Sequence, residues 1–152
     1  MELNEITGEI IRSAIKVHCK LGPGVLENAY EICLAHELEK SGLRAERQVG
    51  LPLVYDGERM EIGYRVDLLV EDRVIVEIKA QEGLLPVHEA QLLSHLRLSG
   101  KEVGLLINFH VELLKNGIVR KVNNYKAPPA STQLALASSA LKRLENRNQH
   151  KS

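Results

Sequence analysis

The 152 residues suit one domain, and 44% of them are hydrophobic, enough for a buried core and too many for a disordered chain. Twenty Lys and Arg balance twenty Asp and Glu, so no global basic field marks a nucleic-acid binder and any phosphate-binding surface must be local. Aromatics at 3% with no Trp argue against a base-stacking single-strand binder; no apolar run approaches the ~18 residues of a membrane span, and the acidic, polar N-terminus does not read as a signal peptide.

In chain order, Glu5 to about Lys20 carries Ile6, Ile10, Ile11, Ala14 and Val17 at helical spacing. Leu21-Gly22-Pro23-Gly24 breaks that helix, and a second runs from about Leu26 to Ser41, stopped by Gly42. Cys19 and Cys33 fall at apolar helix positions and read as buried thiols of a cytoplasmic protein, not as a disulfide or a metal pair.

The middle of the chain is strand-like. Gln48 to Tyr55 is one run, Asp56-Gly57 is a hairpin turn, and Met60 to Val70 alternates through Ile62, Tyr64, Val66, Leu68 and Val70. After Glu71-Asp72-Arg73, Val74 to Ala80 returns with Val74, Val76 and Ile78 on one face and Glu77 and Lys79 on the other. Pro86 starts a helix to about Leu98, ended by Ser99-Gly100. Val103 to Phe109 reads as a buried strand, and Asn116-Gly117 is a hairpin signal before Ile118 to Val122. The order is that of an α/β domain over residues 1–123, a mixed central sheet flanked by helices. Lys126 to Ser131 reads as a linker, and Thr132 to Asn146 as a marginal helix with Leu134, Ala137, Leu141 and Leu144 on one stripe.

One constellation carries chemistry. Asp67 closes one strand and Glu77 and Lys79 share a face of the next, so two carboxylates and an ammonium converge if Asp67 faces the same way. Such a set can hold a hard divalent cation and activate water against a phosphodiester. The competing reading is a solvated face with a cross-strand ion pair. Glu27 falls within the apolar stripe of the second helix, where a carboxylate is costly unless paired or cation-bound, but Glu37 falls there too. His88, Gln91 and His95 share a stripe of the third helix, opposite Leu92, Leu93 and Leu96. They are either phosphate and acid–base contacts or an ordinary polar outer face.

Gly24-Val-Leu-Glu27-Asn-Ala-Tyr30 resembles the signature of the small bacterial and archaeal GxxExxY proteins. The resemblance continues through Tyr64-Arg65-Val66-Asp67, Val76-Glu77-Ile78-Lys79-Ala80, Pro86-Val-His88-Glu-Ala-Gln91 and Gly104-Leu-Leu-Ile-Asn108-Phe109. It implies the PD-(D/E)XK nuclease-like fold, with Asp67, Glu77 and Glu27 around Mg²⁺ or Mn²⁺ and Lys79 as catalytic lysine. Gln91 matches the glutamine of a Q-x-x-x-Y pattern whose tyrosine position here is His95. His88, Gln91, His95 and Arg65 are then the expected substrate contacts. The implied activity is phosphodiester hydrolysis in DNA, ahead of RNA. The alternative is a non-catalytic nucleic-acid-binding or assembly module on the same fold, to which the neutral charge is suited. A homodimer formed through the apolar stripe of the tail would enlarge the basic surface.

Overall fold

A computed structural model of the chain describes residues 1–123 and 141–147, the side chains of residues 61 and 62 excepted. Helices α1 (Leu3–Leu21) and α2 (Glu27–Lys40) are followed by strands β1 (Ala45–Tyr55), β2 (Glu58–Val70) and β3 (Val74–Lys79). Helix α3 (Pro86–Ser99), strand β4 (Val103–Asn108), a 3-10 turn (Leu114–Gly117) and strand β5 (Ile118–Val122) complete the described domain. The five strands form one sheet in the order β1-β2-β3-β4-β5. β3 and β4 are parallel, joined through α3, and the other pairs are antiparallel. The sheet is therefore mixed, as expected for an α/β domain.

The alternation of β3 decides the layering. Val74, Val76 and Ile78 pack with Ile6, Ile10 and Ala14 of α1 and Tyr30, Leu34 and Leu38 of α2. Ile75 faces the other way, with Leu92 and Leu96 of α3. Each of these fully buried aliphatic side chains contributes on the order of 2 kcal/mol. The result is a three-layer sandwich, with α1 and α2 on one face and α3 on the other.

Four expectations are corrected. First, β1 begins at Ala45, ahead of the expected Gln48. The polar run Glu46-Arg47-Gln48 disguises the strand, which continues because Arg47 is neutralised by Glu31 of α2. Second, β2 does not keep one face. Tyr64 and Val66 lie with the α3-side cluster, whereas Leu68 and Val70 lie with the α1/α2 cluster. The change occurs at Asp67, and the facing residue Gln48 has a left-handed φ of 53°. A pattern reading assumes an unbroken pleat and cannot see it. Third, Cys19 is exposed and Cys33 only half-buried, although both are free thiols. Fourth, Asn116-Gly117 closes a 3-10 turn inside a longer connection and is not a tight two-residue hairpin. The proposed linker and most of the expected C-terminal helix lie outside the described residues. Residues 141–147 are helical, with Leu141 and Leu144 exposed. Among the described residues no helix is long and apolar enough to cross a membrane.

Candidate active site

The start of α2 is held by a tyrosine. Gly22 and Gly24 take left-handed φ values of 68° and 92°, which turn the chain sharply between α1 and α2. The buried Tyr30 hydroxyl donates to the Gly22 carbonyl at 2.5 Å and accepts from the Val25 N–H at 3.1 Å. Its ring stacks on Phe109 after β4, with centroids 4.4 Å apart. The spacing Gly24…Glu27…Tyr30 thus has a structural reason: Tyr30 clamps the loop and fixes where Glu27 enters the helix. Glu27 is the first residue of α2 and is exposed, whereas Glu31 and Glu37 are the buried acids of that helix. Partial desolvation pushes the Glu27 carboxyl above its usual range, Lys79 and the backbone of Ala80 pull it down, and Asp67 and Glu31 push it up. Glu37 is occupied elsewhere, by Lys16 at 3.0 Å, Lys40 at 3.5 Å and Lys20 at 3.8 Å. The nearby Lys16 ammonium holds its carboxyl below the ordinary value.

Asp67 and Glu77 lie where β2 and β3 part. The ladder pairs Val70 with Val74, Leu69 with Ile75 and Leu68 with Val76, so one further step sets Asp67 across from Glu77. There the Asp67 carboxylate replaces the ladder: its Oδ2 accepts the Ile78 N–H at 2.7 Å. Glu77 is largely buried, and desolvation is the chief reason its carboxyl titrates above the usual range. His95 opposes that shift, and the neighbouring Asp67 charge adds to it. Asp67 therefore acts electrostatically on both Glu27 and Glu77, and Lys79 acts on Glu27. Lys79 is half-buried at the end of β3, and among the described residues it forms no ion pair.

The residues of α3 separate. His95 is not on a polar outer face: its Nδ1 lies 3.2 Å from Glu77 Oε1, and its ring stacks on Tyr64 at 4.2 Å with an interplanar angle of 4°. It sits between Leu92 and Leu96, the two buried leucines that seat α3 on the sheet, because i, i+3 and i+4 positions share a helix face. His88 Nδ1 accepts the Leu85 N–H at 3.0 Å and caps the helix. Gln91 is exposed, with no hydrogen bond among the described residues. Arg65 is exposed on β2, beside Tyr64.

Four supporting roles escaped the sequence reading, those of Glu31, Arg47, Gln48 and Tyr64. Glu31 accepts from Arg47 Nε and Nη2 at 3.0 and 2.7 Å and from Gln48 Nε2 at 2.5 Å. Gln48 Nε2 also lies 3.4 Å from Asp67 Oδ1, so α2 reaches Asp67 through the strained residue of β1. A second acid one turn after Glu27 was the available signal. Tyr64 is the other surprise: its hydroxyl is buried without a hydrogen-bond partner among the described residues. Such an orphan costs about 1–3 kcal/mol. Tyr64→Phe is therefore expected to stabilise the protein by about 1 kcal/mol, raising Tm by roughly 2–4 °C. A thermal melt that falls would show that the hydroxyl has a partner in solution.

A family model for the PD-(D/E)XK nuclease superfamily matches residues 4–121. The chain belongs to the PD-(D/E)XK nuclease superfamily. The match spans both helices of one layer, the whole sheet and α3, so it includes every element that positions the carboxylates and Lys79. No curated protein matches the chain. Among solved structures, the chain is similar to one described as "Crystal structure of SSO0001", with 24% identity and a TM-score of 0.45. The likeness covers 76% of this chain and 58% of that one, so the chain spans less than two thirds of that structure's length.

Proposed function

We propose that this member of the superfamily is a divalent-metal-dependent nuclease that hydrolyses phosphodiester bonds in DNA, ahead of RNA. In this reading Asp67, Glu77 and Glu27 hold Mg²⁺ or Mn²⁺, and residues 1–123 form the catalytic unit. The observation that carries it is the opposed pair Asp67 and Glu77 at the parting of β2 and β3, with Lys79, which has no ion pair among the described residues, one strand repeat beyond Glu77.

Among the described residues no three His, Cys, Asp or Glu side chains are already gathered tightly enough to enclose an ion. The donor chemistry nonetheless fits a hard cation. Burial holds Glu77 and Glu27 above their usual titration range, and the repulsion of the nearby Asp67 charge raises each of them further. A divalent ion relieves that repulsion, and Mg²⁺ needs only one or two carboxylates beside its waters. A bound cation supplies Lewis-acid stabilisation of the charge that develops on the phosphoryl oxygens and lowers the pKa of the attacking water. Lys79 places a compact positive charge beside the same phosphoryl group. Asp67 is fixed by the Ile78 N–H, and Glu77 is oriented by His95, whose ring plane is set by Tyr64. Cleavage of a plasmid and of single-stranded DNA under Mg²⁺ or Mn²⁺ titration, with Glu77→Ala as control, tests the reading. Binding without cleavage at any metal concentration would favour the non-catalytic module, with which the balanced charge of the chain is consistent.

Metal and pH should act together on stability. A carboxyl whose folded-state pKa is raised binds protons more tightly in the folded chain than in the unfolded one. For Glu77 the sign follows: its contribution favours folding below the ordinary carboxylate value and is lost as pH rises through the raised value. At neutral pH Mg²⁺ or Mn²⁺ should therefore raise Tm, by about 2.7 kcal/mol of stability at a hundredfold excess over Kd. Asp67→Asn and Glu77→Gln should shrink that response and make the metal-free protein more stable. Equal metal responses in wild type and both variants would place the cation elsewhere.

A further inference from the structure

Beyond the carboxylate site, β1 and β2 form an arm. β2 pairs with β3 only from Leu68 to Val70, whereas its ladder with β1 runs on from Ala45–Val70 to Tyr55–Glu58. From Val49 and Val66 outward, the two strands are thus a ribbon projecting past β3, with Asp67 at its base. The register shifts between Leu51 and Leu53. Pro52 lies there without an N–H, and Gly63 faces it. A Cβ on Gly63 would stand 2.1 Å from the Leu51 carbonyl oxygen, so glycine is required for this approach. The irregularity opens a depression of 690 Å³, lined by Gly50, Leu51, Arg59, Met60, Tyr64 and Arg65 among others.

Two arginines share the lining of that depression. Arg12 pairs with Glu9, Arg44 with Glu46 and Arg47 with Glu31. Arg59 and Arg65 are exposed, and among the described residues neither meets a carboxylate at ion-pair distance. Two exposed guanidiniums with no ion pair among the described residues thus line one concavity. The lining also touches the carboxylate site, because Tyr64 stacks on His95 and His95 meets Glu77.

We propose that the β1–β2 arm is a docking surface for the phosphodiester backbone of a nucleic-acid duplex, gripped by Arg59 and Arg65. This deepens the nuclease reading and takes its choice of ligand from it. Planar guanidiniums match phosphate oxygens bidentately. A duplex is favoured over a single strand because the lining carries one aromatic ring, Tyr64, and His95 already covers one of its faces, so the depression offers a single strand no series of stacking rings. A backbone lying along the arm is led to Asp67 at its base.

The test is fluorescence anisotropy with a labelled 20-base-pair DNA duplex and the corresponding single strand, in metal-free buffer across a salt series. The full chain is compared with Arg59→Ala/Arg65→Ala and with Lys115→Ala/Lys142→Ala, which removes equal charge from exposed positions off the arm. The arm variant is expected to bind duplex roughly tenfold or more weakly, with its log–log salt slope reduced by about 1.8, as for two lost phosphate contacts. Its Tm and its Mn²⁺ response should match wild type. An unchanged slope, an equal loss in the control variant, tighter binding of the single strand, or no binding by wild type would overturn the proposal. Cleavage is scored separately on wild type with Mn²⁺. A protein that binds through Arg59 and Arg65 but cuts nothing retains the arm and loses the nuclease. A protein that cuts while the arm variant binds like wild type does the reverse.

Discussion

Lys79→Ala is expected to lower phosphodiester cleavage by a factor of about 10²–10³ or more while leaving the Mn²⁺-induced rise in Tm in place. The lysine is the last residue of β3, half-buried, and shares a strand face with Glu77. The charge it would stabilise is largely absent from the ground state, so its removal should depress kcat and kcat/KM alike. Metal binding should persist, because an ammonium is not a ligand and its loss removes a positive charge beside the carboxylates. Lys79→Arg should not restore the rate, since a planar, diffuse guanidinium cannot replace a compact ammonium at one oxygen. Single-turnover cleavage alongside thermal melts with and without Mn²⁺ separates the two properties. A Lys79→Ala protein that cleaves normally would remove the lysine from the chemistry, and one that has lost the metal response would make it a structural counter-ion.

Much of this geometry was legible from β3 alone. Val74, Val76 and Ile78 alternate with Ile75, Glu77 and Lys79, and the short strand is regular, so parity placed the acid and the lysine correctly with respect to the core. Parity failed for Tyr64 and Val66, because β2 changes face at Asp67, where the facing residue Gln48 is left-handed. His95 failed for a different reason. A helix stripe read from sequence separates polar from apolar residues, but a histidine between two buried leucines can belong to the buried side when a carboxylate waits opposite. Glu31 was invisible because its partners lie on another element, Arg47 just ahead of the expected strand and Gln48 at its first residue. Tyr30 stood out as the last residue of the Gly24…Glu27…Tyr30 signature, but no sequence pattern shows that its hydroxyl closes the Gly22–Val25 loop. Long-range pairing of polar groups is the part of the site that local periodicity does not encode.

Arg47→Ala should be strongly destabilising although the residue lies outside the proposed catalytic set, costing about 3 kcal/mol. The asymmetry of the pair explains why. The Glu31 side chain is 5% exposed and the Arg47 side chain 38%, so loss of the arginine strands a buried carboxylate, whereas loss of the acid leaves a guanidinium that can turn to water. Glu31→Ala should accordingly cost less, about 2 kcal/mol, and the double variant less than the sum of the two, since removing both partners abolishes the uncompensated charge. For a domain of this size each kcal/mol shifts Tm by roughly 2–4 °C. Urea and thermal unfolding of the three variants measure the cycle, and additive single losses would show that Glu31 and Arg47 do not act as a pair. A functional consequence follows from Gln48, which shares its Nε2 between Glu31 and Asp67. With Glu31 gone, Gln48 loses its shorter contact, and the left-handed turn of β1 that faces Asp67 loses its anchor. Glu31→Ala should therefore weaken Mn²⁺ binding although Glu31 is not proposed to touch the ion, and Glu37→Ala, which breaks only the remote lysine cluster, should not. Identical Mn²⁺ titrations for the two variants would confine Glu31 to stability and detach α2's buried acid from the site.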